Sequence, residues 1–197
     1  MTGRELDDWD LLESATAEDG RGFAELVRRH YRAALAFARQ VLGDQHKAED
    51  VTQKAFVNVF VARERFERKA RFRTLLFRVV VNLALNEVAR VRGARSFSEL
   101  AEEESEFQVP ASPGELDRPE AAAEARELGQ MIENGLMRLS PRHRAALYLR
   151  EYQGLPYGEI ATTLDASLAE VKIWIHRGRA ALQQILRPYL DRGESVR

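Results

Sequence analysis

The sequence predicts an all-α protein made of two small helical domains joined by an acidic flexible linker. Three observations carry that reading. Outside residues 98–127 apolar residues recur at spacings of three and four, with no strand-like alternation. Residues 98–127 hold three prolines, clustered acids and no sustained period, the signature of a solvated connector. Charge is also partitioned along the chain, with 18 Lys/Arg against 14 Asp/Glu in residues 1–97, 2 against 10 in 98–127 and 10 against 7 in 128–197. The expected domains are therefore 1–97 and 128–197, with 98–127 between them. Fully stretched, such a linker spans at most roughly 95 Å, but as a coil it averages about 30 Å, so the domains can engage distant sites on one large partner.

Taken in order, helices are expected near 10–17, 22–42, 46–62 and 72–92, with Gly43 and Asp44 as the stop between the second and third. In the second domain they are expected near 120–138, 141–153, 157–163 and 168–187. Ser140 followed by Pro141 is a cap and first-turn pair, because the hydroxyl accepts an orphan amide and proline has none to lose. Gly154 ends the helix that follows. Gly129, Gly135 and Gly178 lie inside helices at about 0.5 to 1 kcal/mol each relative to alanine, so a domain of this size should be marginally stable alone.

The stretch 157–186 has the shape of a helix-turn-helix. Ile160, Ala161 and Leu164 form the inner face of a short helix, Ala161 being small where the helices cross. Asp165 occupies a turn position that favours left-handed backbone, and Ser167 can cap the second helix, leaving its first amides for a phosphate. Val171, Ile175, Gly178 and Leu182 make a core stripe, with Trp174 a half-buried residue at its edge. Lys172, His176, Arg177 and Arg179 lie on the exposed half, and Ile173 lies among them on the side away from the core.

Composition excludes several function classes. The chain contains no cysteine, so disulfides, thiolate metal sites and cysteine nucleophiles are absent, which suits a reducing cytoplasm. The beginning, MTGRELDDWD, is acidic and without an apolar core, so no signal peptide is expected. The longest apolar run, Leu75 to Leu85, is interrupted by Arg78 and Asn82, which argues against membrane insertion. His46 with Glu49 and Asp50 is a metal-like grouping that no second cluster accompanies; no cofactor, metal or enzymatic activity is expected. The basic excess instead concentrates at residues 63–95, with ten Lys/Arg and three Asp/Glu. Two basic blocks flanking an acidic connector indicate polyanion binding at both ends.

Three stretches carry a resemblance: AEDVTQKAF (48–56), RFRTLLFRVVVNLALNEVARVRG (71–93) and LSPRHRAALYLREYQGLPYGEIATTLDASLAEVKIWIHRGRAAL (139–182). In this order around an acidic linker they resemble a group IV, extracytoplasmic-function sigma factor of bacterial RNA polymerase. The resemblance implies a region-two domain, a linker that threads near the polymerase active centre and RNA exit channel, and a region-four domain. Core RNA polymerase, promoter DNA and an anti-sigma factor are the implied partners. The clamp-docking role falls on Glu49, Asp50, Gln53, Phe56 and Val57. Minus-10 capture falls on Phe66, Arg68, Lys69, Arg71, Phe72, Arg73, Arg78 and Asn82, because aromatic faces stack on unpaired bases and cations hold the backbone. Phe60 joins the same aromatic series with Phe66 and Phe72, of which at least one is expected to be a core ring instead. Minus-35 reading falls on Ser167, Lys172, Ile173, His176, Arg177 and Arg179. The sequence departs from the family pattern at Thr52 and Lys54, at Leu75 where tryptophan is frequent, at Pro156 where Ser or Thr caps, and at Ile173 and Trp174. A free-standing helix-turn-helix regulator is the alternative, and it would need neither a docking helix nor a basic strand-capturing one.

Overall fold

The computed structural model describes residues 6–16, 19–92, 129 and 131–194, and of residues 92 and 188–194 the backbone alone. The expected linker, 98–127, and most of the helix expected at 120–138 lie outside the described residues. Helix α1 (Asp8–Ser14) begins two residues earlier than its apolar pattern suggested, because the Asp7 carboxylate accepts the Asp10 amide at 2.8 Å and so caps it. Helix α2 (Arg21–Leu42) ends at Gly43, whose φ of 70° is the left-handed closure glycine permits, and Asp44 at once caps α3 (Gln45–Val61) through the Lys47 amide. A 3-10 turn (Arg63–Arg65) and a short loop lead to α4 (Phe72–Arg92). After a helical stretch over 131–136 come α5 (Pro141–Glu151), with the Ser140 and Pro141 start the sequence indicated, α6 (Tyr157–Leu164) and α7 (Leu168–Glu194). No strand occurs among the described residues.

Helices α1 to α4 pack around a core of Leu26, Phe37, Val41, Val59, Phe77 and Val80, all fully buried. Helices α5 to α7 close around Leu149, Ile160, Leu164, Val171 and Ile175. The glycine at 178 is a packing device here: a Cβ on it would stand 3.1 Å from Leu147, so its absence lets α5 and α7 approach.

The two units are not apart, as a flexible tether alone would allow. They share one apolar cluster, with α5 against α2 and α6 against α4. In α5 every residue from Arg144 to Leu149 is buried, so this helix is apolar on more sides than its own small unit can cover. At the seam the Phe37 ring stacks on Tyr148 with centroids 5.4 Å apart and meets Phe77 edge-on at 5.2 Å. Arg144 crosses it, its Nη2 donating to the Val41 carbonyl and its Nη1 to the carbonyls of Met137 and Leu139 at 2.8 and 3.0 Å. Arg73 donates to the Gln153 carbonyl at 3.0 Å, Thr74 Oγ1 to Glu159 at 2.9 Å, and Arg39 pairs with Glu133 at 2.7 Å.

Replacing Arg144 by methionine keeps its apolar stem and leaves three carbonyls without a donor. We expect Arg144→Met to lower unfolding stability by about 2 to 3 kcal/mol, read from urea denaturation by circular dichroism. Because one carbonyl lies across the seam, calorimetry should then resolve two thermal transitions where the parent shows one.

Candidate nucleic-acid interface

The end of the chain builds the helix-turn-helix from local chemistry. Asp165 takes the left-handed conformation expected of it, φ 50°, and its amide bonds back to Ala161. Pro156 precedes α6 and offers no side-chain cap. Ser167 does cap α7, accepting the Glu170 amide at 3.2 Å, but the Glu170 carboxylate returns to the Ser167 amide at 2.8 Å and hydroxyl at 2.7 Å. This is a reciprocal capping box, written in the sequence as Ser167-Leu168-Ala169-Glu170. It corrects the expectation that Ser167 leaves an open phosphate site: a carboxylate already sits there. The Ser167 hydroxyl, more than any other group, holds the Glu170 carboxyl below its ordinary pKa.

Along α7, Val171, Ile175 and Gly178 face inward and Leu182 is half-buried. Trp174 is 8% exposed, deeper than the half-buried edge position expected, because the Arg142 guanidinium lies 5.6 Å from its ring centre and His143 lies 6.2 Å away. Ile173 stands 48% exposed between exposed Lys172 and His176, with Arg177 beside them. Leu168 is exposed one turn earlier. Arg179 is drawn to Glu151 on α5, 2.8 Å away, and belongs partly to the packing of the unit.

The second basic block is divided by the fold. Exposed Arg71, just before α4, and exposed Arg78, Asn82 and Asn86 on it, with half-buried Leu75, recur at three and four and make one outward row. Asn86 was missed, although its position four residues after Asn82 places it on the same face. The aromatics behave otherwise. Phe72 is 1% exposed, wedged between Trp9, 6.1 Å away, and His30, 5.2 Å away, so its ring is core and not a stacking platform. Phe60 packs on Phe23 at 4.9 Å under the Arg63 guanidinium, and Phe66 is half-buried against the core. Arg68 is enclosed by carboxylates of α1, Lys69 pairs with Glu67, and Arg73 is spent on the seam. Arg71, Arg78 and the two asparagines stand exposed on this side of the molecule.

On α3, Glu49, Asp50, Gln53 and Val57 reach the surface together with Val61, which the sequence reading did not include. Phe56 does not: it is buried, 6.2 Å from Phe23 and 6.3 Å from Tyr31. Buried Thr52 satisfies its hydroxyl on the Ala48 carbonyl at 2.7 Å, which explains how it replaces an apolar residue. Neither seam contact involves α3. Among the described residues no group of acids and histidines is placed to hold a metal, and no helix is long and apolar enough to cross a membrane.

Comparison with known proteins matches residues 26–94 to Sigma-70 region 2 and residues 129–182 to Sigma-70 region 4. The chain is 32% identical over 191 residues to the ECF RNA polymerase sigma-E factor of Escherichia coli K12, covering 95% of this chain and 98% of that one. It is 31% identical over 184 residues to the RNA polymerase sigma-H factor of Pseudomonas aeruginosa, covering 93% and 95%. Among solved structures it resembles the sigma factor RpoE in complex with the anti-sigma factor NepR from Bartonella quintana, with a TM-score of 0.60 and 25% identity over 84% of this chain and 96% of that one. It also resembles CnrH in complex with the cytosolic domain of CnrY, with a TM-score of 0.57 and 25% identity over 92% and 97%.

The capping box gives a test with a definite sign. The Glu170 carboxyl is depressed in the folded chain, so its stabilisation is present above the ordinary glutamate pKa of about 4.3 and is lost as pH falls through the lower folded value. Ser167→Ala should lower stability at pH 7 by about 1 kcal/mol, and the gap between variant and parent should narrow as pH falls from about 5 to 2. Thermal unfolding across that range checks it.

Proposed function

The chain belongs to the extracytoplasmic-function RNA polymerase sigma factors, and on that premise we propose how its surfaces divide the work of promoter-specific transcription initiation. Residues 1–97 form the unit that meets core polymerase and the minus-10 element, 98–127 the connector and 128–197 the minus-35 unit. The mixed acidic and apolar face of α3, Glu49, Asp50, Gln53, Val57 and Val61, docks on core polymerase. The row on α4 receives the melted strand: Arg71 and Arg78 neutralise phosphates, and Asn82 and Asn86 offer amide donors and acceptors to base edges. Helix α7 enters the major groove and presents Lys172, Ile173, His176 and Arg177 to the base pairs, with Ile173 meeting a thymine methyl. No bond is made or broken by this chain, and no cofactor is required.

The observation that carries this reading is the presence, on one chain, of two polar, cation-bearing rows on separate units and a third face on α3. A free-standing helix-turn-helix regulator would leave α3 and α4 without a ligand. In the structure the start of α4 is engaged by the turn after α5 through Arg73 and by α6 through Thr74, so placement on both promoter elements requires these residues to exchange partners. One solved neighbour is bound to an anti-sigma factor and the other to the cytosolic domain of CnrY, and an anti-sigma partner acting in the cytoplasm is proposed for this chain.

Run-off transcription with purified core polymerase on genomic promoter fragments should yield discrete start sites that depend on this chain. A folded protein giving no start site on any fragment would overturn the reading. Ile173→Ser should weaken preference for thymine at one minus-35 position by about 0.8 kcal/mol, roughly fourfold, with folding intact. If promoter preference is unchanged and inhibitor binding falls instead, Ile173 belongs to the anti-sigma interface.

A further inference from the structure

Between the 3-10 turn and α4, residues 66–71 have little regular structure of their own. Their backbone bonds are the short closures from Phe66 to Arg63 and from Lys69 to Glu67, and the Arg71 carbonyl accepting the Thr74 and Leu75 amides where α4 begins. A loop held so lightly takes its shape from what clamps it, and here the clamp is α1. The Trp9 indole Nε1 donates to the Ala70 carbonyl at 2.9 Å. The Arg68 guanidinium forks onto α1, Nε to Glu13 at 2.8 Å and Nη2 to Asp10 at 2.6 Å and to Glu13 at 2.9 Å, with Asp7 at 3.8 Å from Nη1. Behind the loop, buried Phe72 is gripped between Trp9 and His30.

The clamp is itself anchored. Asp8 bonds His30 at 2.8 Å and Arg29 at 3.2 Å, both on α2, and Leu11 and Leu12 are buried in the core. A seven-residue helix does not persist alone in water, so α1 exists because the domain holds it. An uninterrupted line of contacts thus runs from α2 through Asp8 to α1, and through Trp9 and Arg68 to the loop that leads into the α4 row. Three carboxylates around one guanidinium leave the cluster negative, which repels a phosphate approaching Arg68. Glu13 first, and Asp10 after it, raise Arg68 above its already high pKa, in keeping with a cation fully committed to protein acids.

We propose that Trp9 and Arg68 are positioning residues for minus-10 recognition: through them α1 sets the loop 66–71, so that Arg71 at its end and the row that follows on α4 meet the strand in one register. The proposal rests on the strand-capturing role assigned above to α4, and it removes Arg68 from the residues that touch DNA.

The test uses holoenzyme assembled from the full chain and core polymerase. Its probes are a non-template single strand from the best run-off promoter and the same strand with each minus-10 base changed in turn. Arg68→Ala and Trp9→Phe, the latter keeping the aromatic edge and removing only the donor, should each lower discrimination between the two probes by roughly fivefold or more. Affinity for core polymerase should stay within about twofold. Arg68→Lys, which still pairs with Glu13 or Asp10, should restore part of the discrimination. Loss of a phosphate contact lowers the salt slope by about one, and both variants should lower it alike, because the loop they release carries Arg71. Discrimination unchanged in both variants would overturn the proposal. So would a uniform loss of affinity with the salt slope reduced in Arg68→Ala alone, which would return Arg68 to the DNA contacts. If the parent holoenzyme itself does not discriminate, the role given to α4 fails, and with it the premise of the brace.

Discussion

Phe37 holds the structure together. It sits toward the end of α2 with Phe77 of α4 on one side and Tyr148 of α5 on the other, so one buried ring belongs to both units at once. Burial of such rings is worth a few kcal/mol each and has no direction of its own. Arg144 supplies the direction. It brings a cation to the Val41 carbonyl in the last turn of α2, where unpaired carbonyls concentrate partial negative charge, and ties the Met137 and Leu139 carbonyls with the same group. The rings make the units adhere, and the guanidinium fixes which turn of α5 meets which turn of α2.

That arrangement determines which functional surfaces are exposed. The seam occupies the start of α4 and the interior side of α2, while α3 and the outward row from Arg78 to Asn86 lie away from it. A chain closed in this way still leaves the outer face of α3 exposed. Tethering favours the closed arrangement, since at an effective concentration in the millimolar range an interface worth only about 4 kcal/mol between separate pieces is already near half occupancy, and opening therefore draws on the binding energy of a partner. The polar part of the seam, a few hydrogen bonds at about 0.5 to 1.5 kcal/mol each, can be exchanged for contacts to DNA without disturbing either core.

Much of this was legible in the sequence, because helix ends are local chemistry. Gly43 with Asp44, Ser140 with Pro141, and Asp165 each mark an end that the structure keeps. The outward position of Ile173 followed from the helical period alone. What was misread depended on partners distant in sequence. Phe56, Phe60 and Phe72 lie near basic residues along the chain, yet their neighbours in space are Phe23, Tyr31, Trp9 and His30 on α1 and α2. Docking of the units was hidden for the same reason, although the buried run from Arg144 to Leu149 carried a sign of it, since a helix apolar on all sides needs covering on all sides. The capping box at Ser167 was readable, and attention to the hydroxyl alone missed the glutamate three residues on.

Charge shows most sharply where composition stops and structure begins. Residues 63–95 carry ten basic side chains, and counted along the chain all of them invite nucleic acid. In the fold Arg63 lies over Phe60 and donates to its carbonyl, Arg68 is locked to α1, Lys69 pairs with Glu67, Arg73 closes the seam and Arg90 pairs with Glu87. Among the described residues Arg65, Arg71 and Arg78 stand exposed, and the last two are spaced seven residues apart on one side of α4. Seven residues are two turns, about 10.5 Å along the axis, and successive phosphates of an extended strand lie within that reach. An arginine-rich segment can thus bind with few phosphate contacts and a shallow salt dependence. Two of its cations, Arg68 on α1 and Arg73 on the Gln153 carbonyl, hold the loop and the seam in place, and the neutral amides of Asn82 and Asn86 follow Arg78 on the outward row.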